Sequence, residues 1–306
     1  MTTAPMVSQP PDTDSLRAQP TEAGPQRPII HDVILAVDIG NSAAKAALVE
    51  GSTILEAGRL DTSSASGDDL LDGLRVLAGA PGQAPSGILA VSVVDRWTER
   101  LERAAAALGL PLSVIAASHI PISTALVRPD ATGPDRLLAA WAALRLHGSP
   151  VIVVDLGTAT TVDAVDADGF FLGGAILPGL GLSATALAEG TARLPLVELR
   201  LPHEAIGADT TAAIQSGLVI GHIGAVRELV QRMHLHIDAH GSSAGPARVI
   251  ITGGHSAAPW AGAAWQTSLA PSLPAISDVL DPDLVLKGLG MLAEHMAARP
   301  RTGASS

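Results

Sequence analysis

Three aspartates in this sequence stand where chemistry on a phosphate could use them. Asp38 and Asp155 each close an apolar run and open the same pattern, Asp-x-Gly and a small polar residue: Asp38-Ile39-Gly40-Asn41-Ser42 and Asp155-Leu156-Gly157-Thr158. The glycine lets the main chain turn tightly and approach an anion. Asn41, Ser42 and the amides of the turn can hydrogen-bond phosphate oxygens, and a carboxylate beside phosphates is placed to hold Mg²⁺, directly or through water. A single copy is equally an ordinary hairpin turn with an Asx bond. Two copies, each between a preceding and a following apolar strand, argue for a shared ligand.

The third aspartate lies in Gly133-Pro134-Asp135-Arg136. Asp135 there is either the cap of a helix or a general base, with Arg136 a clamp for substrate or phosphate. Thr252-Gly253-Gly254 follows a short apolar run, and its paired glycines either admit a flat ligand such as adenine or form a plain turn. The glycine-rich run 169–182 reads as a structural loop or as a close approach to a ligand or partner. His234, His236 and His240 with Asp238 invite a metal reading, but the spacing does not put them on one helical face, and they read as a solvated loop after a long helix. The G-x-G-x-x-G loop, the Walker A loop and the G-x-S-x-G elbow are absent from the sequence.

These residues need strands and helices to hold them. After each Asp-x-Gly turn comes a second apolar strand (43–49 and 162–165), then a turn signal, Glu50-Gly51-Ser52 or Asp166-Ala167-Asp168-Gly169, and a further β-like run. Each half is therefore a β-meander followed by helical patterns: 70–77, 97–108 and 135–146 in the first half, with a buried strand at 87–94. In the second half they are 210–233, as one helix or two with Asp209 as its cap, then a strand at 248–252 and a closing helix at 283–297. The class is α/β with two related lobes. The expected division is a disordered tail over 1–28, an N-terminal lobe over 29–150, a C-terminal lobe over 151–298 and a frayed end over 299–306.

Composition narrows the chemistry. The 306 residues carry 30 acidic against 19 basic side chains, a net charge of −11, which opposes nucleic-acid binding. With no cysteine in the chain, disulfides, thiolate nucleophiles and Cys-ligated zinc are excluded. Aromatics are only 2% and tyrosine is absent, so Ala, Leu, Val and Ile must pack the core. The uncharged stretches 170–188 and 257–276 are too rich in Gly, Pro, Ser and Thr for a lipid-exposed helix. No signal-peptide pattern is seen at the start, and the expectation is a soluble, cytoplasmic protein without membrane contact.

The two tandem Asp-x-Gly hairpins with a late strand-Gly-Gly resemble the superfamily of acetate and sugar kinases, heat-shock chaperones and actin. More narrowly, six segments occur in the order of type III pantothenate kinases. They are Asp38–Ser42, Gly133–Arg136, the run from Asp155 to Asp163, Gly173-Gly174-Ala175-Ile176-Leu177-Pro178-Gly179, Thr191-Ala192-Arg193-Leu194-Pro195 and Ile206-Gly207-Ala208-Asp209-Thr210. The similarity spans residues 34–292.

The resemblance implies two duplicated actin-like (ribonuclease H-like) lobes with a nucleotide cleft between them, and ATP-dependent phosphorylation of pantothenate, the first step of coenzyme A synthesis. It further implies a homodimer, Mg²⁺ and a monovalent cation, K⁺ or NH₄⁺. By the family's pattern Asp38, Gly40, Asn41, Ser42 and Lys45 form the first ATP-phosphate loop and Thr158 a further ATP contact. Gly133, Pro134, Asp135 and Arg136 form the substrate segment with Asp135 as proton acceptor, Asp155 binds the monovalent cation, and Thr210 is another substrate contact. Three positions depart from the pattern: Leu126 stands where the family places a pocket tyrosine, Pro134 where it has alanine, and Ser42 where it has threonine. The same motifs are compatible with a catalytically weak member acting as a regulatory or binding protein, and with a related small-molecule kinase.

Overall fold

The computed structural model describes residues 33–61, 67–80, 84–239, 245–266 and 276–298. The expected tail at 1–28, the frayed end at 299–306 and His240 lie outside them. The apolar run before Asp38 is β1 (Ile34–Ile39), which pairs antiparallel with β2 (Ala43–Glu50), itself antiparallel to β3 (Thr53–Asp61). On its other side β1 runs parallel to β4 (Ile88–Ser92), and β4 to β5 (Leu112–Val114). The run before Asp155 is β6 (Val151–Leu156), with β7 (Ala159–Val165), β8 (Phe171–Pro178), β9 (Arg248–Thr252) and β10 (Val279–Leu280). The two five-stranded sheets have the orders β3-β2-β1-β4-β5 and β8-β7-β6-β9-β10, with the same sense at every pairing. The echo in the sequence is thus a duplicated sheet.

Strand alternation decides where the carboxylates point. Ile34, Ala36, Leu89 and Val91 of one sheet and Val151, Val153 and Ile250 of the other meet in one core. Asp38 and Asp155, in the same parity as those residues, end β1 and β6 on the faces that the sheets turn toward each other. The opposite faces are covered separately. Leu35, Val37 and Ile39 lie against α1 (Gly67–Ala78) and α2 (Asp95–Leu108), whereas Ile152, Val154 and Leu156 lie against α6 (Gly221–Ala239) and Trp265. Both central strands are therefore covered on two faces, which is why they read as unbroken apolar runs.

Between the sheets lie α3 (Pro134–His147) and α7 (Leu284–Ala298). Helix α3 is buried from Leu137 to Ala143 without interruption, and packs on β6 and β7 as well as on β4. Helix α7, from the end of the chain, packs on β1 and β2. The two cross closely because Gly288 faces Leu138 and Ala142: a Cβ there would sit 3.1 Å from each. Alanine and glycine do the packing that aromatics do elsewhere.

The structure corrects two local expectations and decides one that the sequence leaves open. The glycine-rich run is not a loop: it is β8 and the start of α4 (Leu180–Gly190), whose leucines and alanines carry a helix once Gly179 has capped it. The long helix divides into α5 (Thr210–Gln215), a π-turn at Ser216–Ile220, and α6. Helix α6 runs on to Ala239 because Val230 and Ile237 continue its buried stripe. His234 and His236 are thus helical, and the described residues include no metal-binding cluster of three or more His, Cys, Asp or Glu. Strands β5 and β10, of three and two residues, are too short to show a period in the sequence.

Candidate functional site

The C-terminal ends of β1 and β6, the first turn of α3 and the approach to α7 surround a cleft of about 670 Å³. Its lining includes Asp38, Gly40, Asn41, Ser42, Lys45, Asp135, Arg136, Asp155 and Thr158, so nine of the twelve site residues expected from the sequence come together. Gly133 and Pro134 do not line it but set the start of α3. Gly133 precedes the helix, Pro134 takes the first helical position where its missing N–H costs nothing, and Asp135 follows. A Cβ on Gly133 would overlap the Asp135 carboxylate. Thr210 is not in the lining; it opens α5, where Asp209 accepts a hydrogen bond from the Ala212 N–H at 2.8 Å. Leu126 also lies outside, packed on Gly173.

The electrostatics of the cleft are dominated by the burial of its carboxylates. Burial pushes the Asp38 carboxyl up to about 7, with Asp155 and Asp135 adding repulsion and Lys45 opposing it. Asp155 is raised to about 6 by burial and by Asp135, again against Lys45. Asp135 is raised by burial, while its own N–H and that of Arg136 donate to the carboxylate and hold the rise back. Three carboxylates gathered in one cleft are favourable only with cations among them.

The cations are positioned by distinct elements. Lys45 lies opposite Asp38 in the β1–β2 register and donates from Nζ to the Pro282 carbonyl at 2.7 Å, tying the first sheet to the start of α7. Arg136 is held by Asp163 of β7: Nε donates to Oδ2 at 3.1 Å and Nη2 to Oδ1. Asp163 is only 2% exposed, and the β8 residue opposite it is Gly174, where a Cβ would overlap its Oδ1. Sequence reasoning did not assign Asp163 a role, although it sits within the quoted run from Asp155. The signal was an aspartate alternating with apolar residues in a central strand, which needs a buried partner.

Thr161 of β7, also inside the quoted run, lines the cleft without having been assigned a role. Arg59 of β3, His255 and Thr185 line it too and belong to no short motif. Arg59 could have been found only from the register, since it lies opposite Lys45 as Lys45 lies opposite Asp38. The late Gly253-Gly254 turn does line the cleft; Gly253 has φ +88°, a conformation that favours glycine.

Which groups could be held there follows from the donors. Mg²⁺ binds through one or two carboxylates and completes its shell with water and phosphate oxygens, so Asp38 suffices on the protein side without a three-ligand cluster. Oxygen donors and the raised carboxylates fit hard cations.

Comparison with known proteins identifies the family. A profile of the type III pantothenate kinase family matches residues 34–232. The chain is 36% identical over 282 residues to a type III pantothenate kinase of Rubrobacter xylanophilus, covering 88% of this chain and all of that one. It is 36% identical over 265 residues to the enzyme of the same name from Thermus thermophilus, covering 84% and 97% of the two chains. Among solved structures, a protein described as a conserved Baf family transcriptional activator from Campylobacter jejuni superimposes with a TM-score of 0.53 at 18% identity, over 86% of this chain and 98% of that one, which shows a shared fold. The chain belongs to the type III pantothenate kinase family.

Proposed function

We propose that the cleft transfers the γ-phosphoryl group of ATP to the primary hydroxyl of pantothenate, giving 4′-phosphopantothenate. The observation that carries this reading is the convergence of Asp38, Asp135 and Asp155 from two duplicated hairpins and a helix start. A primary alcohol is a poor nucleophile until its proton is accepted, and Asp135 at the head of α3 is the base. Burial brings its carboxyl nearer the working pH, as an effective base requires. Arg136, with Nε and Nη2 engaged by Asp163, retains Nη1 to meet a substrate carboxylate. Ser42, Thr158 and the turn at Gly40 and Asn41 hold the phosphates in line, with Lys45 beside them.

Asp38 would hold Mg²⁺ and Asp155 a monovalent cation, K⁺ or NH₄⁺; when bound, these ions offset the charge gathered on the phosphates. The chain would act as a homodimer in the cytoplasm, with lobes at 29–150 and 151–298. Large exposed apolar residues on β8, α4 and the segment beyond support self-association: Ile176 is 64% exposed, Leu196 67% and Ile206 89%. Since Thr210 lies outside the cleft, its proposed substrate contact is one made across that dimer.

The test is ATP consumption with Mg²⁺ and K⁺, with and without pantothenate, and mass spectrometry of the product. Asp135→Asn should lower kcat by about 10²–10⁴-fold and leave ATP binding intact. Normal turnover by that variant would remove Asp135 as the base; a product other than 4′-phosphopantothenate would remove the substrate assignment.

A further inference from the structure

We propose that Arg59 is a further nucleotide-binding residue, which reaches across the cleft from the edge of the first sheet and grips the phosphate chain against the Gly253-Gly254 turn of the second. The inference rests on the cleft being the nucleotide site.

The cross-strand register places Asp38, Lys45 and Arg59 side by side on β1, β2 and β3, on the face turned to the other sheet. Arg59 is the outermost of this row, on the edge strand of the sheet. It lines the cleft, and a Cβ built on Gly254 would lie 3.0 Å from Nη1. Its charge also reaches His255, the next residue of the turn. One guanidinium thus spans from the first sheet to the loop after β9.

The cations of the cleft differ in what already holds them. Arg136 is committed to Asp163 and Lys45 donates to the Pro282 carbonyl. Arg59 has neither a hydrogen bond nor an ion pair among the described residues, although three carboxylates line the same cleft. A triphosphate entering beside Asp38 and Asp155 brings further negative charge, and Arg59 is the guanidinium there with its donor fork still free. Planar paired donors match phosphate oxygens, which a lysine matches only as a point charge. Gly254 adds to this: without a side chain, the turn lets the guanidinium come close to its backbone, so that phosphate oxygens at the rim can meet both.

Binding of ADP and of adenosine to the intact protein, by calorimetry with Mg²⁺ present, tests the assignment alongside KM and kcat. Arg59→Ala should weaken ADP by about 10- to 100-fold, raise KM for ATP in step and leave KM for pantothenate and adenosine affinity unchanged. Arg59→Lys should recover only part of the loss. Adenosine weakened as much as ADP would overturn the proposal in favour of a strut between the lobes. Unchanged ADP affinity in Arg59→Ala, with wild type binding ADP normally, would overturn it and leave the cleft assignment standing. Failure of the wild type to bind ADP would overturn both. Because Arg59 is exposed on an edge strand, both variants should fold, and an unchanged melting temperature verifies this.

Discussion

The Ser42 Oγ and Thr158 Oγ1 atoms lie 2.8 Å apart, so the Asp-x-Gly turn of one sheet touches the corresponding turn of the other. Ser42 is exposed and Thr158 half-buried at the cleft, Ser42 two residues after Gly40 and Thr158 directly after Gly157. The two turns that line the cleft are thereby joined by a hydrogen bond between side chains.

That bond predicts coupling. Ser42→Ala and Thr158→Val should each raise KM for ATP, and the double variant should lose less than the two effects added together, by a coupling energy of about 0.5–1.5 kcal/mol. The four proteins compared by KM for ATP measure it directly. Strict additivity would mean that the hydroxyls act independently.

The carboxylates predict a pH dependence of stability. Asp38 and Asp155 have folded-state values of about 7 and about 6, above the ordinary 3.8. The folded protein therefore holds these protons more tightly than the unfolded chain, and unfolding free energy falls as pH rises between them. The contribution is fully present below about pH 4 and is lost as pH rises through 6 and 7. The melting temperature without ligands should decline from pH 5 to pH 8 on this account, and Asp38→Asn should flatten the decline. Added Mg²⁺ should stabilise most at the alkaline end, where it no longer competes with protons.

Much of this arrangement was legible in the residues themselves. The duplicated meander showed in the shared pattern around Asp38 and Asp155, because a central strand covered on both faces must be an unbroken apolar run. Asp135 was legible because Gly-Pro-Asp is strong helix-start chemistry. What could not be read were relations across the chain. Asp163 and Arg136 are 27 residues apart, and only the packing of α3 on β7 makes them partners. Arg59 needs two strand registers, one with a bulge at Leu48–Val49, before it reaches the cleft. The glycines of run 169–182 looked like loop punctuation, whereas Gly174 makes room for Asp163 and Gly179 for the Gly157 and Thr158 carbonyls.

The Asp163 pair should be structural and functional at once. Asp163→Asn leaves the Arg136 guanidinium, whose side chain is 18% exposed, without its carboxylate. Loss of one partner of a buried pair costs about 3–5 kcal/mol, and the partial exposure of Arg136 puts the expected loss at the lower end. Urea unfolding measures that, and KM for pantothenate should rise because Arg136 is no longer aimed. A variant as stable as wild type, with unchanged KM, would show that α3 alone orients Arg136.

Gly253 offers the sharpest separation of backbone strain from site geometry. Its φ is +88°, and a Cβ there would overlap Asp155 Oδ1 and the Leu156 amide. Gly109, at the end of α2, has φ +68° but nothing within 4 Å of the corresponding position. Alanine at Gly109 incurs the left-handed penalty of about 1–2 kcal/mol, and at Gly253, where ψ is 176°, it enters a region held almost only by glycine, at about 1–3 kcal/mol. Only at Gly253 must it also displace the carboxylate assigned to the monovalent cation. Gly109→Ala should therefore lose stability in denaturant titration while keeping kcat and its response to K⁺. Gly253→Ala should lose more stability, and its K⁺ response should shrink with it. If both variants retained the K⁺ response equally, Asp155 would not be the cation's ligand, since its carboxylate cannot stay in place beside that Cβ.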